Sequence, residues 1–401
     1  MKVGFFLSSE SSGGGYNQNL SFVSALKNKK FDNCQFIILT DNYDLVEFLK
    51  DNNINFLYFK KSFSRLFFLR LFNYFFFKKV FKKLNIKNPF HSFLLTNNVN
   101  FLIFNSPSYY INFSEEINYA CSIWNTEIRT FNNFVEFVGD NFYYQDNLIK
   151  KIVDKAFKII VFSNKNKEDL LRYYCCNQDK IITQSLIPYL PTIYKQKKNI
   201  INFQSLFLKL DLDPSKKWIF YPAQFWSHKN HKYIIDTLKF LDSSEHNNIN
   251  FVFTGKDKGN LNYIKTLISR NKFDNRIKIF SYLKDEQIIS IYKNCFAVAI
   301  PTYVGRSSLP LLESLFFKKI IFYSKDILDS NFHDKIQEID LENPEDFSNK
   351  IKDCIKSNLF NKSREYLRNF YFDICSEERL FYNYSEVIRK YIYLSEKWTE
   401  K

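Results

Sequence analysis

Three loops carry residues whose types and spacing suit chemistry. The stretch Pro222-Ala223-Gln224-Phe225-Trp226-Ser227-His228-Lys229-Asn230-His231 follows an apolar run and opens a helical pattern. A lysine at a helix N-terminus is electrostatically misplaced, because the helix dipole there prefers an anion. Lys229 becomes useful if it meets a diphosphate; the plainer alternative is a solvated surface lysine. The stretch Pro301-Thr302-Tyr303-Val304-Gly305-Arg306-Ser307-Ser308-Leu309-Pro310-Leu311-Leu312-Glu313 places Glu313 inside an otherwise apolar helical run, Leu309 to Phe317. A carboxylate buried there is expensive unless it finds hydrogen-bond donors. Ribose hydroxyls would supply them, as would a neighbouring lysine or backbone. Gly13, Gly14 and Gly15 form the third loop, where missing side chains let backbone N–H groups approach a phosphate at the start of the next helix. The same three glycines also suit an ordinary tight turn.

These loops need strands behind them and helices ahead. Apolar runs at Lys2 to Leu7, Cys34 to Thr40, Ile54 to Phe59, Asn100 to Phe104, Tyr119 to Trp124 and Lys158 to Ser163 alternate with more polar helical stretches. That alternation predicts a parallel sheet covered by helices. Between Leu186 and Lys217 the pattern breaks into Pro188, Pro191, a lysine cluster and Pro214, a composition that predicts a linker. It restarts with strands at Trp218 to Tyr221, Asn250 to Thr254, Ile277 to Phe280, Phe296 to Ile300 and Ile320 to Tyr323. Helical spacing joins Ile234, Ile235, Leu238 and Leu241, and again Ile288, Tyr292 and Cys295. The expectation is an α/β chain of two doubly wound domains, residues 1–190 and 215–375. A last helix over 377–397, with Phe381, Tyr384, Ile388 and Tyr391 on one side, is expected to pack back on the first domain. Ligands of such sheets bind outside the carboxyl ends of the strands, where all three loops lie.

Composition bounds the function classes. A 401-residue chain with 45% hydrophobic and 25% charged residues belongs to a folded protein. A net charge of +15 attracts polyanions in general. No recognition helix, aromatic RNA-binding pattern or zinc-finger spacing points to nucleic acid. The seven cysteines are odd in number and irregular in spacing, which suits neither a disulfide framework nor a Cys-x-x-Cys metal site. The N-terminal run lacks the long apolar stretch and cleavage site of an export signal, so a cytoplasmic location is expected. The segment 62–83 mixes Phe and Leu with Arg65, Arg70, Lys78 and Lys79. Those charges break it well short of the roughly 20 apolar residues needed to span a bilayer. Two readings stay open for it: a helix buried with charged edges, or an interfacial helix on anionic lipid at the inner face of the cytoplasmic membrane.

The run YPAQFWSHKNH, the run FTGKDKGN from Phe253 to Asn260, IFSYLKDEQIISIYKNC and PTYVGRSSLPLLES together resemble family 4 of the retaining glycosyltransferases, in particular bacterial enzymes of surface-polysaccharide synthesis. In the N-terminal half the resemblance rests on SSGGGYNQNL, SIWNTEIRTF and KIIVFSNKNKEDLLRYY. It implies the GT-B fold, two Rossmann-like domains facing each other across a cleft. It also implies transfer of a sugar from a nucleotide-diphosphate donor to a hydroxyl of a glycan or lipid-linked acceptor, with retention and with neither a required metal nor a cofactor. Lys229 would stabilise the diphosphate leaving group and Glu313 would hold the donor ribose. Backbone around Ser307, Ser308 and Leu309 would add donors at a helix N-terminus.

Departures from the family pattern are local. Members commonly carry a second glutamate eight positions before Glu313, where Gly305 stands here. An arginine usually stands five residues before the motif lysine; this chain has Gln224, and Arg306 is the expected replacement cation. Relatives place a histidine beside the reacting sugar where this chain has Ile128, so Glu127 or Arg129 is expected to position the sugar if turnover is kept. The alternatives are a sugar-nucleotide-binding scaffold that has lost turnover and, less favoured by the motifs, a GT-B-fold epimerase of free sugar nucleotides.

Overall fold

A computed structural model describes residues 1–7, 13–114, 116–241, 248–306, 308–357 and 364–399. The chain forms two compact units. One comprises Met1–Thr126, Phe142–Gln184 and Ser376–Lys401, and the other Glu127–Asn141 and Ser185–Cys375. The short segment Glu127–Asn141 thus joins the second unit, although the sequence reading places it within 1–190.

The first unit is built on seven strands: β1 (Lys2–Leu7), β2 (Gln35–Thr40), β3 (Phe56–Tyr58), β4 (Phe101–Phe104), β5 (Tyr119–Ile123), β6 (Ile159–Val161) and β7 (Ile181–Thr183). Their order is β3-β2-β1-β4-β5-β6-β7 and every pairing is parallel. Because helices cover both faces, the central strands read as continuous apolar runs rather than alternating ones. In β1, Val3, Phe5, Phe6 and Leu7 are all buried. Gly4 allows the tight packing beside them, since a Cβ there would sit 2.5 Å from Leu39 Cδ1. The final helix, Glu377–Thr399, supplies part of this core. Tyr384 packs against Phe5 at 5.5 Å and Phe22 at 5.1 Å, and Tyr391 stacks on Phe101 at 4.1 Å. Much of the aromatic excess is therefore structural payload, each ring removing a large apolar area from water.

The second unit carries β8 (Lys217–Pro222), β9 (Ile249–Thr254), β10 (Ile277–Phe280), β11 (Ala297–Ile300), β12 (Ile320–Ser324) and β13 (Gln337–Ile339). Their order is β10-β9-β8-β11-β12-β13, again all parallel. The two strands that sequence patterning missed, β7 and β13, are three-residue strands at sheet edges. Only one of their six residues, Ile339, is fully buried, and three residues are too few to display a strand period.

The predicted linker is instead packed structure. Helices Leu190–Lys197 and Phe203–Lys209 fill it, with Phe203 and Phe207 buried. Pro191 stands in the first turn of its helix, where an absent N–H breaks no hydrogen bond. Of the three prolines that suggested a break, Pro191 marks a helix start, whereas Pro214 stands in the turn before β8.

Candidate functional site

In each sheet one central strand has neighbours whose chain connections run in opposite directions. That switch point lies between β1 and β4 in the first unit and between β8 and β11 in the second. Connections leave such a pair on opposite sides, opening a crevice at the carboxyl ends where ligands bind. Lys229 follows β8, and the loop 301–308 with Glu313 follows β11, so this chemistry gathers at the second switch point.

Lys229 closes a 3-10 turn, Ser227–Lys229, and Asn230 at φ 53° turns the chain into the helix His231–Lys239. The lysine therefore stands just ahead of the helix rather than in its first turn. Tyr221 fixes the turn by donating its hydroxyl to Lys229 O at 2.6 Å. Below it His231 is fully buried, stacked on Phe225 at 4.4 Å, and burial holds its pKa down at about 3. A neutral imidazole inside this aromatic box anchors the turn.

The β11 loop is fastened to the β8 loop along its length. Thr302 Oγ1 and the amide of Tyr303 both donate to His228 O, at 3.2 and 3.0 Å. Lys229 Nζ donates to Val304 O at 3.2 Å, and a Cβ built on Gly305 would lie 3.4 Å from that ammonium. Gly305 adopts φ 120°, a backbone region that residues with side chains rarely enter. The glutamate common in relatives at this position would strain the loop as it is shaped here, which gives Gly305 a physical reason. Burial lowers the Lys229 pKa to about 8, with Glu127 and Glu136 opposing the shift.

Glu127 is wholly buried and serves this loop. Its Oε1 accepts from the amides of Gly305 at 2.9 Å and Arg306 at 2.8 Å. Those N–H groups have no partner within a helix or ladder, and a carboxylate answers both. Ile128 is buried and apolar. Arg129 and Arg306 are partly buried. Nine residues beyond Glu127, Glu136 Oε1 accepts from the His228 amide at 3.1 Å and pairs with His228 Nδ1 at 2.8 Å. Burial and then Lys229 lower the His228 pKa to about 4, against the pull of Glu136. For Glu136, burial acts to raise the pKa, but backbone and His228 hydrogen bonds outweigh it and the net shift is downward. The His228 imidazole is thus neutral and positional.

Glu313 sits in the helix Leu309–Phe316, capped by Ser308, whose side chain accepts from the Leu311 amide at 3.3 Å. Its Oε2 accepts from Tyr292 OH at 2.7 Å. Burial raises its pKa to about 7, opposed by that tyrosine. Tyr323 completes the arrangement by donating to Gly305 O at 2.9 Å. Gln224 is tied to Trp226, its Oε1 accepting from Nε1 at 3.1 Å, and Leu309 is buried at the helix start. Ser307 lies outside the described residues.

Gly13, Gly14 and Gly15 belong to the first unit and to its own switch point. Gly13, at φ 96°, precedes the helix Gly14–Leu26, and a Cβ on Gly14 would meet nothing within 4 Å. Just inside this helix Gln18 and Asn19 are buried, and Asn105 beyond β4 donates through Nδ2 to Asn19 Oδ1 at 2.9 Å. Sequence reasoning gave no role to these amides, to Glu136 or to the hydroxyls of Tyr292 and Tyr323, because each meets its partner only through the fold. Among the described residues no group of three His, Cys, Asp or Glu comes together as a metal site, and no helix is long and apolar enough to cross a membrane.

The sequence matches no curated protein. Residues 202–370, less than half of the chain, match the family model described as glycosyl transferases group 1. Among solved structures the chain is similar to a glycosyltransferase from Rickettsia africae, at 18% identity over 96% of this chain and 98% of that one, with a TM-score of 0.66. It is similar to HepE from Anabaena in complex with UDP, at 12% identity over 97% and 100%, with a TM-score of 0.69. It is also similar to the sucrose-phosphate synthase of Thermosynechococcus elongatus, at 11% identity over 98% and 99%, with a TM-score of 0.72. The chain has the GT-B fold, and it is residues 202–370 that resemble the glycosyl transferases group 1.

Proposed function

We propose that this protein is a retaining glycosyltransferase that moves a sugar from a nucleotide-diphosphate donor to a hydroxyl of a glycan or lipid-linked acceptor in surface-polysaccharide synthesis. The observation that carries this reading is Lys229, a partly buried cation held against Val304 and Gly305 at the switch point of the unit that matches the family model. A lysine kept there at the expense of burial is positioned to meet the charge that develops on a departing diphosphate. In the reaction the acceptor oxygen replaces the phosphate oxygen on the anomeric carbon, on the same face, and the acceptor proton leaves with the diphosphate. Arg306 supplies a second cation and Glu313 accepts from the donor ribose. Glu127 shapes the binding loop by holding the amides of Gly305 and Arg306.

A panel of UDP-, GDP- and ADP-sugars is expected to contain at least one that stabilises the chain against heat. At a hundred times its dissociation constant such a ligand adds about 2.7 kcal/mol. HepE is solved with UDP, so the UDP-sugars come first. Absence of stabilisation by every member of the panel would remove the reading. Affinity should also depend on pH with a defined sign. Lys229 in the free chain loses its proton as pH rises through about 8, so donor binding is expected to weaken above that value, while a Lys229→Met variant shows no such decline. Isothermal titration across that range provides the check.

One observation favours a second reading. Ile128 is buried and apolar where relatives place a sugar-contacting histidine, which suits a chain that binds sugar nucleotide without turning it over. Labelled donor with a lipid-linked acceptor separates the two, since binding without transfer or hydrolysis selects the scaffold.

A further inference from the structure

We propose that the helices Phe63–Asn73 and Phe75–Lys83 dock this protein on an anionic phospholipid surface. Leu69 and Phe72 are buried and fasten the first helix to its unit, and Phe72 meets Phe81 of the second at 4.6 Å. The outward side chains are apolar all the same: Phe63 is 89% exposed, Phe76 70% and Leu84 63%. A cluster of large exposed apolar groups marks an interaction surface rather than a chance leftover. What covers it is indicated by charge. From Lys60 to Lys87 the sequence holds nine Lys and Arg and no Asp or Glu. Aromatic rings surrounded by cations are complementary to acyl chains beneath anionic headgroups, and both helices are far too short to span.

The fold also fixes where this surface lies. The first helix begins shortly after β3, and at its far end Asn73 Nδ2 donates to Tyr109 OH at 2.6 Å, in the turn that follows β4. Both ends therefore sit at the carboxyl edge of the parallel sheet, the edge that also carries Gly13 to Gly15. A bilayer docked there would present lipid-linked hydroxyls to that edge. This last step rests on the glycosyltransferase reading, whereas the lipid contact itself does not.

The test is co-sedimentation of the full chain with vesicles of phosphatidylcholine alone and of phosphatidylcholine mixed with phosphatidylglycerol. Partition onto the mixed vesicles is expected to be at least about tenfold stronger at low salt and to collapse at high salt, where headgroup charge is screened. Replacing Phe63, Phe67 and Phe76 together by serine should lower that partition by at least about tenfold. Because all three are exposed, melting temperature and nucleotide-induced stabilisation should be unchanged. Equal binding to neutral vesicles, no binding to anionic ones, or full binding by the triple variant would each overturn the proposal. So would a concentration-dependent dimer, lost in the triple variant and unaccompanied by vesicle binding, which would give the surface to a second copy of the chain. Vesicle binding without any response to sugar nucleotides would leave the docking surface standing and remove only the proposed enzyme activity.

Discussion

Lys229→Met is expected to lower kcat/KM by about 10²–10³-fold while the ligand-free chain melts at or above the native temperature. The two halves of this expectation have one cause. Burial lowers the Lys229 pKa from 10.5 to about 8, so the folded chain holds this proton less tightly than the unfolded chain does. Between those values the unfolded state binds more protons, and stability rises with pH; below about 8 the full penalty is present. Its ceiling is about 3 kcal/mol, from about 1.4 kcal/mol per unit. Methionine fills similar space without charge and removes that penalty at neutral pH, at the loss of one hydrogen bond to Val304 O worth about 1 kcal/mol. A cation retained against its own folding energy is explained by a ligand. If the variant melts well below the native chain and keeps its donor affinity, Lys229 is structural and the site assignment fails. Melting curves without nucleotide, set beside steady-state kinetics, give both readouts.

Glu313 calls for two variants, because its carboxylate already has a structural partner. Glu313→Ala is expected to weaken nucleotide binding by about 1 to 3 kcal/mol and also to destabilise the fold by a similar amount, since the buried Tyr292 OH loses its carboxylate acceptor. Glu313→Gln separates the effects. The amide oxygen still accepts from Tyr292, and the buried charge is gone. The carboxyl pKa is raised from 4.5 to about 7, so its ionisation subtracts stability as pH climbs through that window and the full loss is present above about 7. The glutamine variant should therefore be at least as stable as the native chain at pH 8, with no advantage left below about 4.5. Its nucleotide affinity should still fall about tenfold, the loss of one charged acceptor. Calorimetric titration of both variants decides the matter; native affinity in Glu313→Gln would assign the residue to the core alone.

The lysine and the glutamate were legible in the sequence for the same reason. Each is a charge where local structure disfavours one, Lys229 ahead of a helix and Glu313 inside the apolar run Leu309 to Phe317. The contacts that hold them were not. Glu127 reaches the amides of Gly305 and Arg306 across 178 and 179 positions, and Glu136 reaches His228 across 92. The sequence marked Glu127 as a candidate to position the sugar rather than as a clasp for this loop, and Glu136, set between Val135 and Phe137, drew no reading at all. Tyr292 was read correctly as part of a helical apolar face, yet nothing local reveals that its hydroxyl ends on Glu313.

The amino-acid order alone determined eleven of the thirteen strands among the described residues, the doubly wound arrangement and the three loops at strand ends, because burial on both faces of a parallel sheet writes itself as short apolar runs. Tertiary structure alone decided the rest. It set the edge strands β7 and β13, turned the proline-rich stretch into the packed helices Leu190–Lys197 and Phe203–Lys209, and brought Glu127–Asn141 onto the Lys229 and Gly305 loops. These features depend on partners distant in the chain, and a contact between distant residues leaves no period for a sequence to display.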